Sequence, residues 1–268
     1  MLTQLRGRAR QWDELRRADA ALISFPKCGR TWLRLMLGGA LARRHGRPVD
    51  DADALIDLYE LTATLPNVPR ILVTHDDKPH TKAPEDLERS KARYRGKRVI
   101  LLVRDPRDVI VSLYFERTRR DRRHPYDGTL HDFLSERVGG VESLVEFCNI
   151  WDHQRSAVAG LHVVRYEDLH RDALGELRAA LGFLGVDGVG DDVLSAAVVG
   201  ARFDRMREIE AAGLAPGGKL RAADPTDEES FKTRKGKVGG FAEYLDDAEV
   251  ASLAASLERL APVFGYGA

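Results

Sequence analysis

The sequence predicts an α/β fold, a single domain with a central parallel sheet flanked by helices. Three observations predict it. Short apolar runs near residues 20–25, 70–74, 98–103 and 161–165 alternate with longer segments of helical character. The runs are apolar throughout and not at every second position, the pattern of strands covered on both faces by helices. Polar residues end each run: Lys27, His75, Arg104 and Tyr166 follow the four carboxyl ends. Ligands of such sheets bind beyond that edge, so four chemically useful side chains are expected to meet there.

Composition sets the outer bounds. The chain has 268 residues, 43% of them hydrophobic, enough for a substantial core. Lys and Arg number 42, Asp and Glu also 42, and a net charge of zero argues against nucleic acid as a partner. The two cysteines, Cys28 and Cys148, make neither a disulfide framework nor a metal-ligand cluster. No run approaches the ~20 apolar residues that span a bilayer. Residues 1–19 mix Arg6, Arg8, Arg10, Arg16 and Arg17 with Asp13 and Glu14 and hold no apolar signal core. They are expected to form a solvated helical extension, and the protein to be cytoplasmic.

Taken in order, the first strand, Ala20 to Phe25, runs into a buried helix from Trp32 to Leu41. Leu55, Ile56, Leu58, Tyr59 and Leu61 suggest one short helix, after which Pro66 and Pro69 mark a loop. Arg70 to Thr74 is β-branched and apolar, and Arg98 to Val103 is the clearest strand. Asp105 as N-cap, Pro106 at the first helical position and Asp108 in the first turn then start a helix through Phe115. A basic cluster follows, including Arg117, Arg119, Arg120, Arg122 and Arg123. Helices are expected around Leu144 to Trp151 and from Asp172 to Leu184, on either side of the strand Leu161 to Arg165. The Gly-, Pro- and charge-rich stretch 212–230 reads as a mobile loop, and Asp246 caps a last helix with Val250, Leu253, Leu257 and Leu260 on one face.

The turn from the first strand into its helix reads Pro26-Lys27-Cys28-Gly29-Arg30-Thr31-Trp32. A strand that turns sharply into a helix directs free backbone N–H groups and the positive helix end at one spot. Lys27 adds a full charge at the rim of that anion site. The order G-x-x-x-x-G-K-[ST] of nucleotide hydrolases and kinases is absent. Instead the stretch resembles the P-K-S/A-G-T-x-W loop of sulfotransferases that use 3′-phosphoadenosine 5′-phosphosulfate (PAPS), with Cys28 and Arg30 as departures.

Further stretches carry the same resemblance. Arg104 to Ser112 fits R-x-P-x-D-x-x-x-S, that family's 3′-phosphate motif; an Arg clamps phosphate bidentately and a hydroxyl adds a donor. Arg234-Lys235-Gly236 resembles the R-K-G-x-x-G loop that closes over the same phosphate. Tyr166-Glu167-Asp168-Leu169 matches Y-E-D-L, whose Tyr lies beside the adenine. Phe203 and Met206 resemble S-F-x-x-M, with Arg202 in place of the Ser, and Trp32 supplies another aromatic surface.

The resemblance implies a P-loop-kinase-like sulfotransferase fold, PAPS as sulfuryl donor and 3′,5′-adenosine bisphosphate (PAP) as product. It implies a donor site of Lys27, Cys28, Gly29, Arg30, Thr31, Trp32, Arg104, Ser112, Tyr166, Phe203, Met206, Arg234, Lys235 and Gly236, without a metal. Lys27 would stabilise charge on the leaving phosphate. His75 corresponds to the His of the family's K-T-H, the base that takes the acceptor proton. Val73 replaces the Lys of that motif, and Asp76-Asp77 follow, so Asp76 is a candidate to orient His75 or to act as base itself.

The acceptor, a hydroxyl or amine of a small molecule or carbohydrate, is not written in these motifs. The Arg117–Arg123 cluster would attract an anionic acceptor, whereas Phe115, Tyr126, Phe133 and Phe147 would line an aromatic pocket. A small-molecule kinase using ATP and magnesium, and a nucleotide-binding module without transfer activity, are the competing readings. The family's C-terminal dimer motif has no convincing copy here, so a homo-oligomer is unsupported.

Overall fold

Ala20, Ala21, Leu22 and Ile23 have no exposed surface, because their strand lies at the centre of the sheet. The computed structural model describes residues 2–121, 124–213 and 220–266, apart from the side chains of residues 2–9. Strand β1 (Ala20–Ser24) pairs in parallel with β2 (Ile71–Thr74) on one side and β3 (Arg98–Val103) on the other. Strand β4 (Gly160–Arg165) pairs in parallel with β3, giving the order β2-β1-β3-β4. Each observed strand agrees within a residue with its predicted run.

Ala20 faces Ile71 and Arg98, and Arg98 faces Gly160, so the strands start level and all run toward one carboxyl edge. The expected burial on both faces holds for the two central strands but not for β4, where Val164 alone is fully buried. An edge strand has a neighbour on one side only, and β4 occupies that place.

Helices fill the connections. Helix α1 (Leu2–Arg17) precedes β1 and ties its exposed face with the pairs Arg10–Glu14 and Arg17–Asp13. Between β1 and β2 come α2 (Arg30–Arg44), α3 (Ala52–Ile56) and α4 (Leu58–Ala63). The single helix expected over 55–61 is two, because Asp57 leaves helical geometry at ψ 69°. Helix α2 is the most buried of the three, and it approaches α3 closely: a Cβ on Gly38 would lie 2.1 Å from the Leu55 carbonyl oxygen.

Helices α5 (Pro106–Arg119), α6 (Leu130–Leu134) and α7 (Val141–His153) join β3 to β4. The Asp105 carboxylate accepts from the Arg107 amide at 2.9 Å, the cap the sequence predicts. Tyr166 opens a helix of its own, α8 (Tyr166–Arg171), before α9 (Ala173–Phe183), α10 (Asp191–Gly200) and α11 (Phe203–Ala211). Helix α12 (Asp247–Leu257) starts at an Asp246–Glu249 capping box.

Of the loop expected to be mobile over 212–230, residues 214–219 lie outside the described residues. The rest is packed down: Leu220 and Ser230 are buried, and the Ser230 hydroxyl accepts from the Asp224 amide at 3.0 Å. Arg122 and Arg123 of the basic cluster also lie outside the described residues.

Beyond β2 the chain makes an unusual turn. Asp76, Asp77 and Lys78 hold φ of +50°, +71° and +54° in succession. Left-handed backbone at residues other than glycine costs about 1–3 kcal/mol each and persists only where the surroundings enforce it. Here the fully buried Asp76 carboxylate enforces it, 2.7 Å from the buried Lys91 ammonium, paired with Arg93, and accepting from the Tyr94 hydroxyl at 2.9 Å. The turn sends Asp76 into this cluster and leaves His75 facing the other way, toward the carboxyl edge of the sheet.

Asp76→Ala would strand the Lys91 charge in the interior. Loss of one partner of a buried pair costs about 3–5 kcal/mol. Urea denaturation is expected to show a loss of that size, and an unchanged midpoint would mean that the cluster does not hold the turn.

Candidate active site

The four strand ends open onto a cavity of about 330 Å3, within the ~300–1,000 Å3 usual for small-ligand sites. Its wall holds residues from every motif singled out in the sequence. Lys27, Gly29, Arg30, Thr31 and Trp32 come from the loop after β1 and the start of α2. His75 follows β2, Arg104 follows β3, and Tyr166 follows β4. Ser112 reaches in from α5, Phe203 and Met206 from α11, and Arg234, Lys235 and Gly236 from the segment before α12.

At the first anion site the backbone is forced. Gly29 caps α2 at φ +88°, and a Cβ there would lie 2.5 Å from Tyr166 Cδ2. Only glycine meets both conditions. Lys27 also has positive φ, and its ammonium pairs with Glu116 of α5 at 2.7 Å. Burial alone would raise the Glu116 pKa, yet Lys27, Arg120 and Lys232 hold it down at about 2. The Cys28 side chain does not reach the wall. It is buried with Sγ toward the Pro26 carbonyl, and burial pushes its thiol up to about 12. With its side chain packed into the core, Cys28 can contribute to the predicted donor site through its backbone alone.

The second anion site is built across two segments. Arg104 donates to the Lys27 carbonyl at 3.3 Å and the Lys237 carbonyl at 2.8 Å, and its guanidinium lies 4.3 Å above the Tyr166 ring. Asp108 pairs with Arg104 at 3.3 Å and accepts from the amides of Gly239 and Phe241, both at 2.9 Å. The basic loop is therefore fastened to the start of α5. Glu210 fastens its other end, accepting from the Thr233 amide at 2.9 Å and from the Thr233 hydroxyl. Arg234 is held by Glu229 at 3.0 Å and by the Tyr244 hydroxyl at 2.6 Å. A Cβ on Gly236 would lie 2.3 Å from Phe203 Cδ2, so glycine again permits the approach.

An aromatic cluster from α2 and α8 lies beside these basic groups. Trp32, Tyr166 and His170 pack edge-on or tilted, with ring centroids 4.6–5.7 Å apart. Phe203 and Met206 complete the lining, whereas Arg202 projects outward beside Asp204. Three guanidinium nitrogens on cavity-lining side chains, Arg30 Nη1, Arg104 Nε and Arg234 Nε, are buried with no hydrogen-bond partner among the described residues. Unpaired buried donors at both ends of one cavity fit a ligand that is anionic at both ends.

His75 lies between the anion loop and the mouth. Its Nδ1–H donates to the Ser24 carbonyl at 2.8 Å, and its Nε2 accepts from Arg30 Nη2 at 2.7 Å. The imidazole is therefore neutral, with the lone pair on Nε2. Burial, then Arg30, holds its pKa well below 6.5. Asp76 points away into the Lys91 cluster, so it neither orients His75 nor reaches the cavity.

The acceptor expectations also divide. Of the basic cluster, Arg117 reaches the cavity, while Arg120 is taken up by Glu116 at 3.2 Å and Glu210 at 3.4 Å. Phe115 packs on Tyr244 and Arg234, Tyr126 on Phe133, and Phe147 on Phe25, so none of these lines an aromatic pocket.

Sequence reasoning missed Glu116, His170 and Lys232, all of which line the cavity. Glu116 had a signal. Asp108, Ser112, Glu116 and Arg120 recur every fourth residue and so share one face of their helix. Lys232, two residues before Arg234, has its pKa lowered to about 8 by burial and by Lys27.

Comparison with known proteins agrees with this geometry. A family model described as the sulfotransferase domain matches residues 17–260. Sulfotransferase 4A1 of Mus musculus is 26% identical over 189 residues, 64% of this chain and 61% of that protein, so the chain spans less than two thirds of that relative. Amine sulfotransferase of Oryctolagus cuniculus is 25% identical over 242 residues, 87% of this chain and 77% of that protein. The crystal structure of a mouse sulfotransferase complexed with PAP superposes with a TM-score of 0.59 at 22% identity, covering 93% of this chain and 87% of that one. By motif, by fold and by the family match over most of its length, the chain belongs to the sulfotransferase domain family.

Proposed function

We propose that this protein moves a sulfuryl group from PAPS to a hydroxyl or amine of a small-molecule or carbohydrate acceptor and releases PAP. The observation that carries the reading is one cavity with two anion sites and an aromatic wall beside them. Lys27, Gly29, Arg30 and Thr31 would hold the phosphosulfate, and Arg104, Ser112, Arg234, Lys235 and Gly236 the 3′-phosphate. Trp32, Tyr166, Phe203 and Met206 would enclose the adenine. One phosphate site would suit any nucleotide; two suit a nucleotide phosphorylated on both sides of its ribose.

When bound, the donor supplies the sulfuryl group: a bond forms from the acceptor oxygen or nitrogen to sulfur as the bond from sulfur to the bridging phosphate oxygen breaks. His75 Nε2 takes the acceptor proton, and the Ser24 carbonyl fixes the tautomer that makes this possible. Lys27 and the loop amides stabilise the electron pair left on the phosphate oxygen. Glu116 holds the Lys27 ammonium at the cavity wall. Much of the catalysis is positioning and charge stabilisation, as in phosphoryl transfer.

The kinase reading has less support. Of the two carboxylates that line the cavity, Glu116 and Asp121, Glu116 is committed to Lys27 and Arg120. A cytoplasmic location belongs to the same proposal, since Cys28 and Cys148 are both buried free thiols. No helix of the described residues is long and apolar enough to cross a membrane.

Calorimetric titration is expected to show tight binding of PAP and none of comparable strength for ATP; the reverse order would favour a kinase. With PAPS and an acceptor panel, Lys27→Ala is expected to lose about 10²–10³ in kcat, the usual cost of one such interaction. His75→Ala is expected to abolish turnover and keep PAP binding; loss of both would make His75 structural. Because burial and Arg30 keep the free imidazole neutral at pH 6.5, kcat/KM is expected to stay level through pH 6.5 and to fall only at lower pH.

A further inference from the structure

Arg30 is the cavity-lining cation that touches His75. Lys27, Arg104, Arg234 and Lys235 each carry a carboxylate partner: Glu116, Asp108, Glu229 and Glu243. Arg30 makes no ion pair with any described residue. Its Nη2 donates to a neutral ring nitrogen, His75 Nε2, at 2.7 Å, and its Nη1 is buried with no partner. A guanidinium has five donors and no acceptor, so it calls for anionic oxygens. Burial and the neighbouring Arg34 depress its pKa to about 9, the signature of a cation without compensating charge.

The place of this side chain is specific. Arg30 is the first residue of α2, beside the N–H groups that would receive the phosphosulfate. Its guanidinium reaches from there to His75 at the end of the adjacent strand β2. Sulfur must lie between the phosphate and the acceptor atom, and the acceptor atom must lie beside His75 Nε2. The guanidinium thus occupies, in the empty protein, the lone pair that the base needs, and it borders the path of the sulfonate.

We propose that Arg30 is a donor-operated latch and a catalytic residue: it caps His75 Nε2 in the empty cavity and turns onto the sulfonate oxygens when PAPS binds. The turn satisfies Nη1, covers the charge of the group in flight, and frees Nε2 for the acceptor proton. In the transfer the acceptor–sulfur bond forms and the sulfur–phosphate oxygen bond breaks. The proton goes to His75, the electron pair to the phosphate, and Arg30 gives up no proton. The inference rests on His75 being the base, as proposed above.

The latch makes the base respond to the donor. The groups facing His75 are Arg30 from α2, His80 with its ring centroid 5.9 Å away, Lys232 from the basic loop, and the Ser24 carbonyl from β1. Arg30, His80 and Lys232 all disfavour imidazolium, and only the Ser24 carbonyl favours it. Departure of Arg30 and arrival of an anion both reverse the balance, so His75 becomes a stronger base once the donor is in place.

The test is histidine NMR on the full chain, titrated with pH when empty, with PAP and with PAPS, in wild type and in Arg30→Met. In wild type His75 is expected to titrate at higher pH with PAPS than when empty. PAP, which lacks the sulfonate, is expected to move it less. In Arg30→Met the empty protein is expected to titrate above wild type already, and PAPS to add less than it adds in wild type. Retained PAP binding would show that this variant folds. Its kcat is expected to fall about 10²-fold, the scale of one lost transition-state donor, and Arg30→Lys to recover part of that loss. An identical His75 titration in wild type and Arg30→Met, or no response of wild-type His75 to PAPS, would overturn the latch. If wild type binds PAP and consumes PAPS while either of those results holds, the latch alone fails. If wild type does neither, the sulfotransferase reading falls and the latch with it.

Discussion

Parallel strands in register bring their carboxyl ends to one edge of the sheet, and the cavity of this protein depends on that constraint. Ile23 ends opposite Thr74, Ser24 opposite Leu102, and Val103 opposite Arg165. The residues just beyond those positions, Lys27, His75, Arg104 and Tyr166, line one cavity although 139 positions separate the first from the last. The central strand β1 has no exposed apolar surface and can slip toward neither neighbour without unburying itself.

Three cations of the cavity, Arg104, Lys27 and Arg234, are each held by an acid. Asp108 grips Arg104 and two amides of the basic loop, Glu116 grips Lys27, and Glu229 grips Arg234. Each pairing lowers the cost of keeping a charge in a partly buried place and fixes where it points. Asp108, Ser112 and Glu116 form one stripe along α5, continued by Arg120 at its cap, so a single helix face reaches both basic groups of the cavity. Arg30 falls outside this scheme. Its contact with His75 couples the loop after β1 to the proposed base through one rotatable side chain.

Much of this was legible in the sequence, for identifiable reasons. Strands that are apolar on both faces read as unbroken runs, and Asp105-Pro106 and Asp246 are capping signals that act within one turn. Motif spacing singled out loop residues that the fold brings to the wall of one cavity. Contacts set by tertiary packing were not legible. Nothing around Asp76 announces that its carboxylate turns away from His75 toward Lys91, sealed by a run of left-handed residues. The aromatic residues 115, 126, 133 and 147 look like a pocket in sequence, but the first three pack around Tyr114 and Phe147 packs on Phe25, away from the cavity wall. The Arg30–His75 contact joins residues 45 positions apart and follows only from the pairing of β1 with β2.

The central claim is that one cavity receives a nucleotide with phosphates at both the 5′ and 3′ positions. A crystal structure of the full chain with PAP tests it most directly. The account predicts the 5′-phosphate on the amides of residues 29–31 beside Lys27, the 3′-phosphate on Arg104, Ser112 and the 234–236 loop, and the adenine against Trp32 and Tyr166. A 3′-phosphate directed into solvent, with Arg104 and Arg234 still in the contacts they make here, would contradict it.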